Sequence, residues 1–186
     1  MVKVYICDVT ETASLEGFSS YRLSKLEKNK NEKHYAESVS AEMLLMYAAK
    51  KEGLPLPLDI KTDIGGKPYA ENINFSISHS SGKILVAVSD SVIGADIQKI
   101  NPLQNLEVAK KFLTESEREN INTETFFKLF TMKESYFKMT GEGLPLSPKP
   151  FSEFEKCFFD TFIIEDYAVS VCSMKPFETT VEHMNF

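Results

Sequence analysis

The chain has 186 residues, 42% of them hydrophobic and 26% charged, which suits one soluble globular domain or two small halves sharing a core. A net charge of −6 with no basic stripe argues against general nucleic-acid binding, so an anionic ligand must be met by Lys and Arg placed locally. No apolar run approaches the roughly 18 residues of a membrane span, Asp8 interrupts the apolar N-terminus too early for a signal peptide, and the three cysteines, Cys7, Cys157 and Cys172, show no metal spacing and read as reduced core residues of a cytoplasmic protein.

Val2, Val4 and Ile6 alternate with Lys3 and Tyr5, which predicts an opening strand. Residues 19–33 form a polar, helix-compatible run carrying Arg22, Lys25, Lys28, Lys30 and Lys33, either a solvated face or a set of phosphate contacts. Tyr35, Val39, Met43, Met46, Tyr47 and Lys50 keep helical spacing until Gly53 and Pro55 stop it. Gly65, Gly66, Lys67 and Pro68 then make a turn with a lysine at its tip. Three strand-like segments follow, Asn74–Ser78, Ile84–Val88 and Val92–Ile97, expected as an antiparallel meander. Leu106, Ala109 and Leu113 mark a helix, and Thr114 with Glu117 has the capping-box pattern of another. A longer helix runs from Phe126 towards Gly141 and Gly143, which act as terminators. After a loop with Pro145, Pro148 and Pro150, the segments Phe158–Ile164 and Tyr167–Ser173 are expected to close the chain as a hairpin. The pattern predicts an α+β fold of two packed halves that divide near residue 100.

At about 100° per residue, Phe130, Glu134 and Lys138 share one stripe of the long helix, with Lys133 and Phe137 on the next. Charges set into so aromatic a helix need partners. The plainest reading is a surface Glu134–Lys138 pair; the alternative is chemistry. Asp96 and Gln98 lie two apart on a strand and leave it by the same face. Together with Glu134 on a facing helix, they would offer oxygen donors to a hard cation. Such a set suits Mg²⁺ completed by phosphate and water better than an all-protein calcium cage. Ser78 and His79 are adjacent and so are no nucleophile–base dyad, but they could bind a phosphate. Lys67 fits the same task, where glycines let the backbone approach and Pro68 stiffens the loop.

These residues carry a family resemblance. Gly66–Pro68, Phe75–Ser80, Gly94–Lys99 and Met132–Leu144, in that order and with fitting intervals, resemble the 4′-phosphopantetheinyl transferases of the surfactin-synthetase-activating type, as does the linking segment Glu107–Glu117. The resemblance runs from about residue 66 to 151. It implies a monomeric pseudo-dimer of two similar α+β halves, residues 1–100 and 101–186, with the active site at their junction. It implies a holo-[acyl-carrier-protein] synthase activity: transfer of phosphopantetheine from coenzyme A to a serine of an apo carrier protein, releasing adenosine 3′,5′-bisphosphate, with no nucleic-acid or membrane partner. Asp96 and Glu134, with Gln98, would hold Mg²⁺ or Mn²⁺. Glu134 would be the base and Lys138 the proton donor to the leaving group. Lys133 and Lys138 would offset pyrophosphate charge; Lys67, Pro68, Ser78 and His79 would meet the nucleotide phosphates; Arg22, Lys25 and Ser38 would add coenzyme A contacts. Three residues depart from the family pattern. Gln98 replaces a frequent acid, Phe130 a frequent Trp, and Glu142 a residue that is often basic. Gln98 and Glu142 leave open a second reading, a non-catalytic module that binds coenzyme A or a carrier.

Overall fold

The computed structural model describes residues 1–10, 14–102, 111–119, 121–143, 147–154 and 156–186. Alternating side chains give β1 (Val2–Asp8) two buried faces, with Val2, Val4 and Ile6 on one side and Tyr5 and Cys7 on the other. It pairs antiparallel with β5 (Lys83–Ser89), which pairs antiparallel with β4 (Asn74–Ser80). β9 (Thr179–Met184) adds to the free edge of β1 in parallel, so this sheet runs β4-β5-β1-β9. A second, antiparallel sheet runs β6-β8-β7, from β6 (Ile93–Lys99), β7 (Phe158–Ile164) and β8 (Tyr167–Ser173). The short pair β2 (Lys61–Thr62) and β3 (Pro68–Tyr69) flanks the Gly-Gly turn.

Helices accompany the sheets. Ser19 caps α1 (Ser20–Lys28) and Asn31 caps α2 (Glu32–Lys51), each side chain accepting from a backbone N–H of the first turn. The polar run read as one stretch thus breaks at Asn29–Asn31. Thr114 and Glu117 form the expected capping box of α3 (Glu115–Arg118). Asn122 caps α4 (Thr123–Thr140), which Gly141 ends in the left-handed conformation at φ +76°. The helix expected at Leu106 and Ala109 lies outside the described residues.

One face of the first sheet, with Phe75, Ile84, Val86 and Val88, packs under Ala41, Leu44, Leu45 and Ala48 of α2. Its other face, with Val2, Val4, Ile6, Leu85 and Ala87, meets Ile93, Ala95 and Ile97 of β6 and Tyr167, Val169 and Val171 of β8. α4 covers the outer face of the second sheet. At Gly94 the helix comes so near that a Cβ would stand 1.9 Å from the Ser135 carbonyl oxygen. Each sheet is built from a strand, a long helix and two more strands, and in each the last of these strands lies between the other two.

Two expectations are corrected. β6 does not continue a meander, because β1 occupies the edge of β5 it would need along seven residue pairs. β6 crosses instead to the second sheet, where it pairs with β8 from Ile93 to Lys99. The β7–β8 hairpin does not close the chain either, since β9 follows it and returns to the first sheet.

Candidate functional site

The seam between β4 and β6 is stitched by side chains. Ser76, Ser78 and Ser80 leave one face of β4, and their hydroxyls accept the backbone N–H groups of Ala95, Ile97 and Lys99 at 2.9, 3.3 and 3.1 Å. The stitching sets the register that puts Asp96 beside Ser78. Asp96 is 2% exposed, and its Oδ1 accepts from Ser78 Oγ at 2.6 Å and from Lys138 Nζ at 2.7 Å. Lys138 also donates to Ser78 Oγ at 2.6 Å. Asp96 Oδ2 is buried with no hydrogen-bond partner, a costly state for a carboxylate oxygen.

Glu134 projects from α4 one turn before Lys138. Burial, then the charge of Asp96, push its carboxyl up to about 7, against the pull of Lys138. Gln98 leaves β6 on the same face as Asp96, and its Oε1 accepts from Ser80 at 3.0 Å. Two carboxylates close enough to repel, one with an unpartnered oxygen, beside an amide oxygen form a donor set that fits a hard divalent cation. Among the described residues no group of three or more His, Cys, Asp and Glu gathers to make an all-protein cage.

The family model described as the 4′-phosphopantetheinyl transferase superfamily matches residues 92–172, a span that holds Asp96, Glu134 and Lys138. A 4′-phosphopantetheinyl transferase of Bacillus subtilis is 33% identical over 156 residues, 69% of this chain and 69% of the relative. The chain belongs to the 4′-phosphopantetheinyl transferase superfamily. The transferase Sfp of Bacillus subtilis strain 168 is 30% identical over 137 residues, 60% of this chain and 61% of Sfp. The psf-1 transferase of Bacillus pumilus is 27% identical over 158 residues, 69% of this chain and 66% of that relative. The chain thus aligns with about two thirds of these curated relatives' length.

In this superfamily member the other expected site residues are spread around the carboxylates. Lys67 reaches the end of α4, where its Nζ donates to the Met139 carbonyl at 2.9 Å and burial lowers its pKa. Lys67, Pro68 and Lys138 line a pocket of about 320 Å³ with Gly66, Ile77 and Phe137, a size suited to part of a small-molecule ligand. His79 leaves β4 by the face opposite Ser78, and its Nδ1 lies 3.6 Å from Glu37 Oε2. Glu37 also meets His34 at 3.1 Å and borders a cleft of about 760 Å³ with Lys30 and Lys33.

Lys133 points elsewhere. Its ammonium donates to Glu117 Oε2 at 2.6 Å, the Lys149 carbonyl at 2.7 Å and the Phe112 carbonyl at 3.0 Å. Arg22 is buried and donates from Nε to Glu42 at 3.2 Å. Lys25 is exposed with its ammonium 4.6 Å from the Tyr21 ring centre, and Ser38 is half-buried. Glu142 stands exposed, 3.9 Å from the Lys149 ammonium. Phe130 packs edge-on against Phe112 at 4.5 Å between ring centres. Phe126 is buried with Leu113, and Phe127 packs partly buried against them. Glu37, Ser76 and Ser80 are not among the expected site residues, and Glu117 was expected only as part of a capping box. The two serines did leave a signal, since Ser76, Ser78 and Ser80 repeat with the strand period. The contacts of Glu37 with His79 and of Glu117 with Lys133 left none, because those partners are 16 or more residues away.

Proposed function

We propose that this chain transfers the 4′-phosphopantetheine arm of coenzyme A to a serine hydroxyl of an apo carrier protein, with adenosine 3′,5′-bisphosphate as the leaving group. The observation that carries the reading is the Asp96 carboxylate. It is buried, tied through Oδ1 to Ser78 and Lys138, unpartnered at Oδ2, and within electrostatic reach of Glu134. That the relatives are named 4′-phosphopantetheinyl transferases supports it.

Asp96 and Glu134, with Gln98 directly or through water, would hold Mg²⁺ or Mn²⁺. When bound, the ion supplies neutralisation of the pyrophosphate charge. Glu134 takes the proton of the carrier serine, directly or through water. The serine oxygen bonds to the phosphorus that bears the pantetheine, and the anhydride bond to the nucleotide phosphate breaks. Lys138 Nζ hands a proton to the departing phosphate oxygen. Ser78 works through Asp96 and Lys138, since its hydroxyl already holds both. Lys67, at the end of α4, and His79, beside Glu37, serve as contacts for the nucleotide phosphates. Lys133 acts by fixing the turn of α4 that presents Glu134 rather than by touching phosphate. Arg22, Lys25 and Ser38 lie on α1 and α2, and Lys25 offers the exposed cation among them.

We read the two helix-and-sheet units as similar halves of a monomer, 1–100 and 101–186 in outline, with β6 contributed across the division. Free thiols at all three cysteines fit a reducing, cytoplasmic setting. The test is intact-mass measurement of a panel of apo carrier proteins incubated with the protein, coenzyme A and Mg²⁺. One carrier type is expected to gain the mass of a phosphopantetheinyl group, and Glu134→Gln to abolish the gain. No gain on fatty-acid, polyketide or peptide-synthetase carriers would overturn the assignment.

A further inference from the structure

The β7–β8 ladder gathers sulfur on the outer face of the second sheet, the face under α4 that also carries Asp96. Phe158 pairs with Ser173 and Phe159 with Cys172. Cys157, one residue ahead of β7, therefore falls opposite Met174 and diagonal to Cys172. The Cys157 and Cys172 side chains therefore share one face of the ladder. Cys157 Sγ lies 3.4 Å from Met174 Sδ, and Cys172 Sγ lies 3.9 Å from Met139 Sδ in the last turn of α4. Four sulfur atoms, in two Cys–Met pairs related by this diagonal, thus form one cluster. It is fully buried at Cys172 and opens to solvent at Met174, which is 55% exposed.

Within each Cys–Met pair the spacing is that of two donors on one metal ion. Three metal–sulfur bonds of about 2.3 Å in a plane place neighbouring sulfurs about 4.0 Å apart, and a tetrahedral arrangement brings them to about 3.8 Å. The two sulfur–sulfur distances, 3.4 and 3.9 Å, need a shift of only a few tenths of an ångström to meet either. Thiolates combined with thioethers select soft ions such as Cu(I) over hard or borderline ones.

We propose that Cys157, Cys172 and Met174, with Met139 as a fourth donor, form a site for a soft monovalent cation, Cu(I) or its surrogate Ag(I). Binding forms Sγ–metal bonds to both cysteines and releases their two protons to solvent. The thioethers bind without proton loss, and no electron moves because the metal enters and stays as M(I). The exposed Met174 end is the entry path. Nothing in this site depends on the transferase reading.

The test is anaerobic titration of the reduced full chain with Cu(I) against a chromophoric chelator, and with Ag(I) by calorimetry. One equivalent is expected to bind, with the melting temperature rising as free metal increases. Zn(II), for which thioethers are poor ligands, is expected to bind at least about 100-fold more weakly. Cys157→Ser should weaken Cu(I) binding at least about tenfold, and Met174→Leu, which keeps the bulk but removes the thioether, at least about threefold. Both positions are at the open end of the cluster, and metal-free melting temperatures report whether the variants fold. Cys7, buried against α2, remains in both as an internal control. Unchanged affinity in both variants would assign binding to a lone thiol and overturn the proposal, as would the absence of stoichiometric binding by the parent chain.

Discussion

Burial, reinforced by the charge of Asp96, raises the Glu134 carboxyl to about 7 from an ordinary value near 4.5, while Lys138 pulls the other way. The folded state therefore binds a proton here more tightly than the unfolded chain does. Its contribution to stability is fully present below about pH 4.5 and is lost as pH rises through about 7. The proposed chemistry needs the carboxylate, which the fold disfavours until a cation arrives. Glu134→Gln, neutral at every pH, should abolish transfer yet unfold with less dependence on pH between 5 and 8. At pH 8 it should exceed the parent by on the order of 1–2 kcal/mol, once partial exposure is discounted. Denaturant titrations at several pH values measure this. A parent stability that rises between pH 5 and 8 relative to the variant would contradict the placement of Glu134. Asp96 differs because its charge is met by Lys138 and Ser78. Asp96→Asn should remove the Mg²⁺-dependent rise in melting temperature that the parent chain is expected to show with coenzyme A present. A rise of equal size in the variant would exclude Asp96 as a ligand.

At the scale of elements, the site depends on how α4 lies on β6. Gly94 permits the approach: a Cβ there would also come within 2.5 Å of the Met139 backbone nitrogen, so Gly94→Ala must push the helix outward. The expected cost is about 3 kcal/mol, the upper end for overpacking, with a larger fractional loss of transfer than of folded protein because Lys138 leaves Asp96. Wild-type stability in urea would show that the contact relaxes cheaply. Lys133 ties the other flank of α4 to Glu117 and to the Lys149 carbonyl. The Lys133 hydrogen bond holds the Glu117 carboxyl below its usual range despite burial. Lys133→Met removes an ammonium buried against Glu117 and two carbonyls and should cost about 3 kcal/mol; a loss under ~0.5 kcal/mol would mean the pair is idle. Period and spacing alone made much of this legible. Asp96 with Gln98, Glu134 with Lys138, and the β7–β8 hairpin all follow from side-chain directions within a single element. The same rule, applied to β4, separates Ser78 from His79, which adjacency had grouped together. Spacing does not reveal which strand lies next. β6 alternates as well for a meander as for a second sheet. β9, with Thr179, Thr180, Glu182 and His183, is an edge strand too polar to show a buried face. The inward turn of Lys133 was hidden for the same reason, because Glu117 reaches it only through tertiary packing.

For the whole molecule, the two sheets repeat one connectivity, yet they do not own separate cores. Val2, Val4, Ile6, Leu85 and Ala87 of the first sheet are buried against Ile93, Ala95 and Ile97 of β6 and Tyr167, Val169 and Val171 of β8, with Phe162, Ile164 and Phe177 packed around them. β9, from the C-terminal end, closes the edge of β1, where the Val2 N–H also bonds to the Glu178 carbonyl at 2.8 Å. A fragment ending at Asp90 would expose that whole apolar face and the unpaired edge of β1. It would also leave the hydroxyls of Ser76, Ser78 and Ser80 without the β6 backbone groups they accept from. Neither 1–90 nor 91–186 should therefore fold alone, and the intact chain should unfold in one cooperative step monitored identically by far-ultraviolet circular dichroism and by tyrosine fluorescence. Fragment 1–90 is expected to aggregate, since it presents a flat hydrophobic face beside an open strand edge. Mixing the two fragments during refolding should restore secondary structure and, with coenzyme A and Mg²⁺, transfer to a carrier, because Ser78 lies in one piece and Asp96, Glu134 and Lys138 in the other. Independent folding of either fragment, or two separated transitions in the intact chain, would show that the seam between the sheets is an interface between autonomous domains rather than the shared core that holds the site.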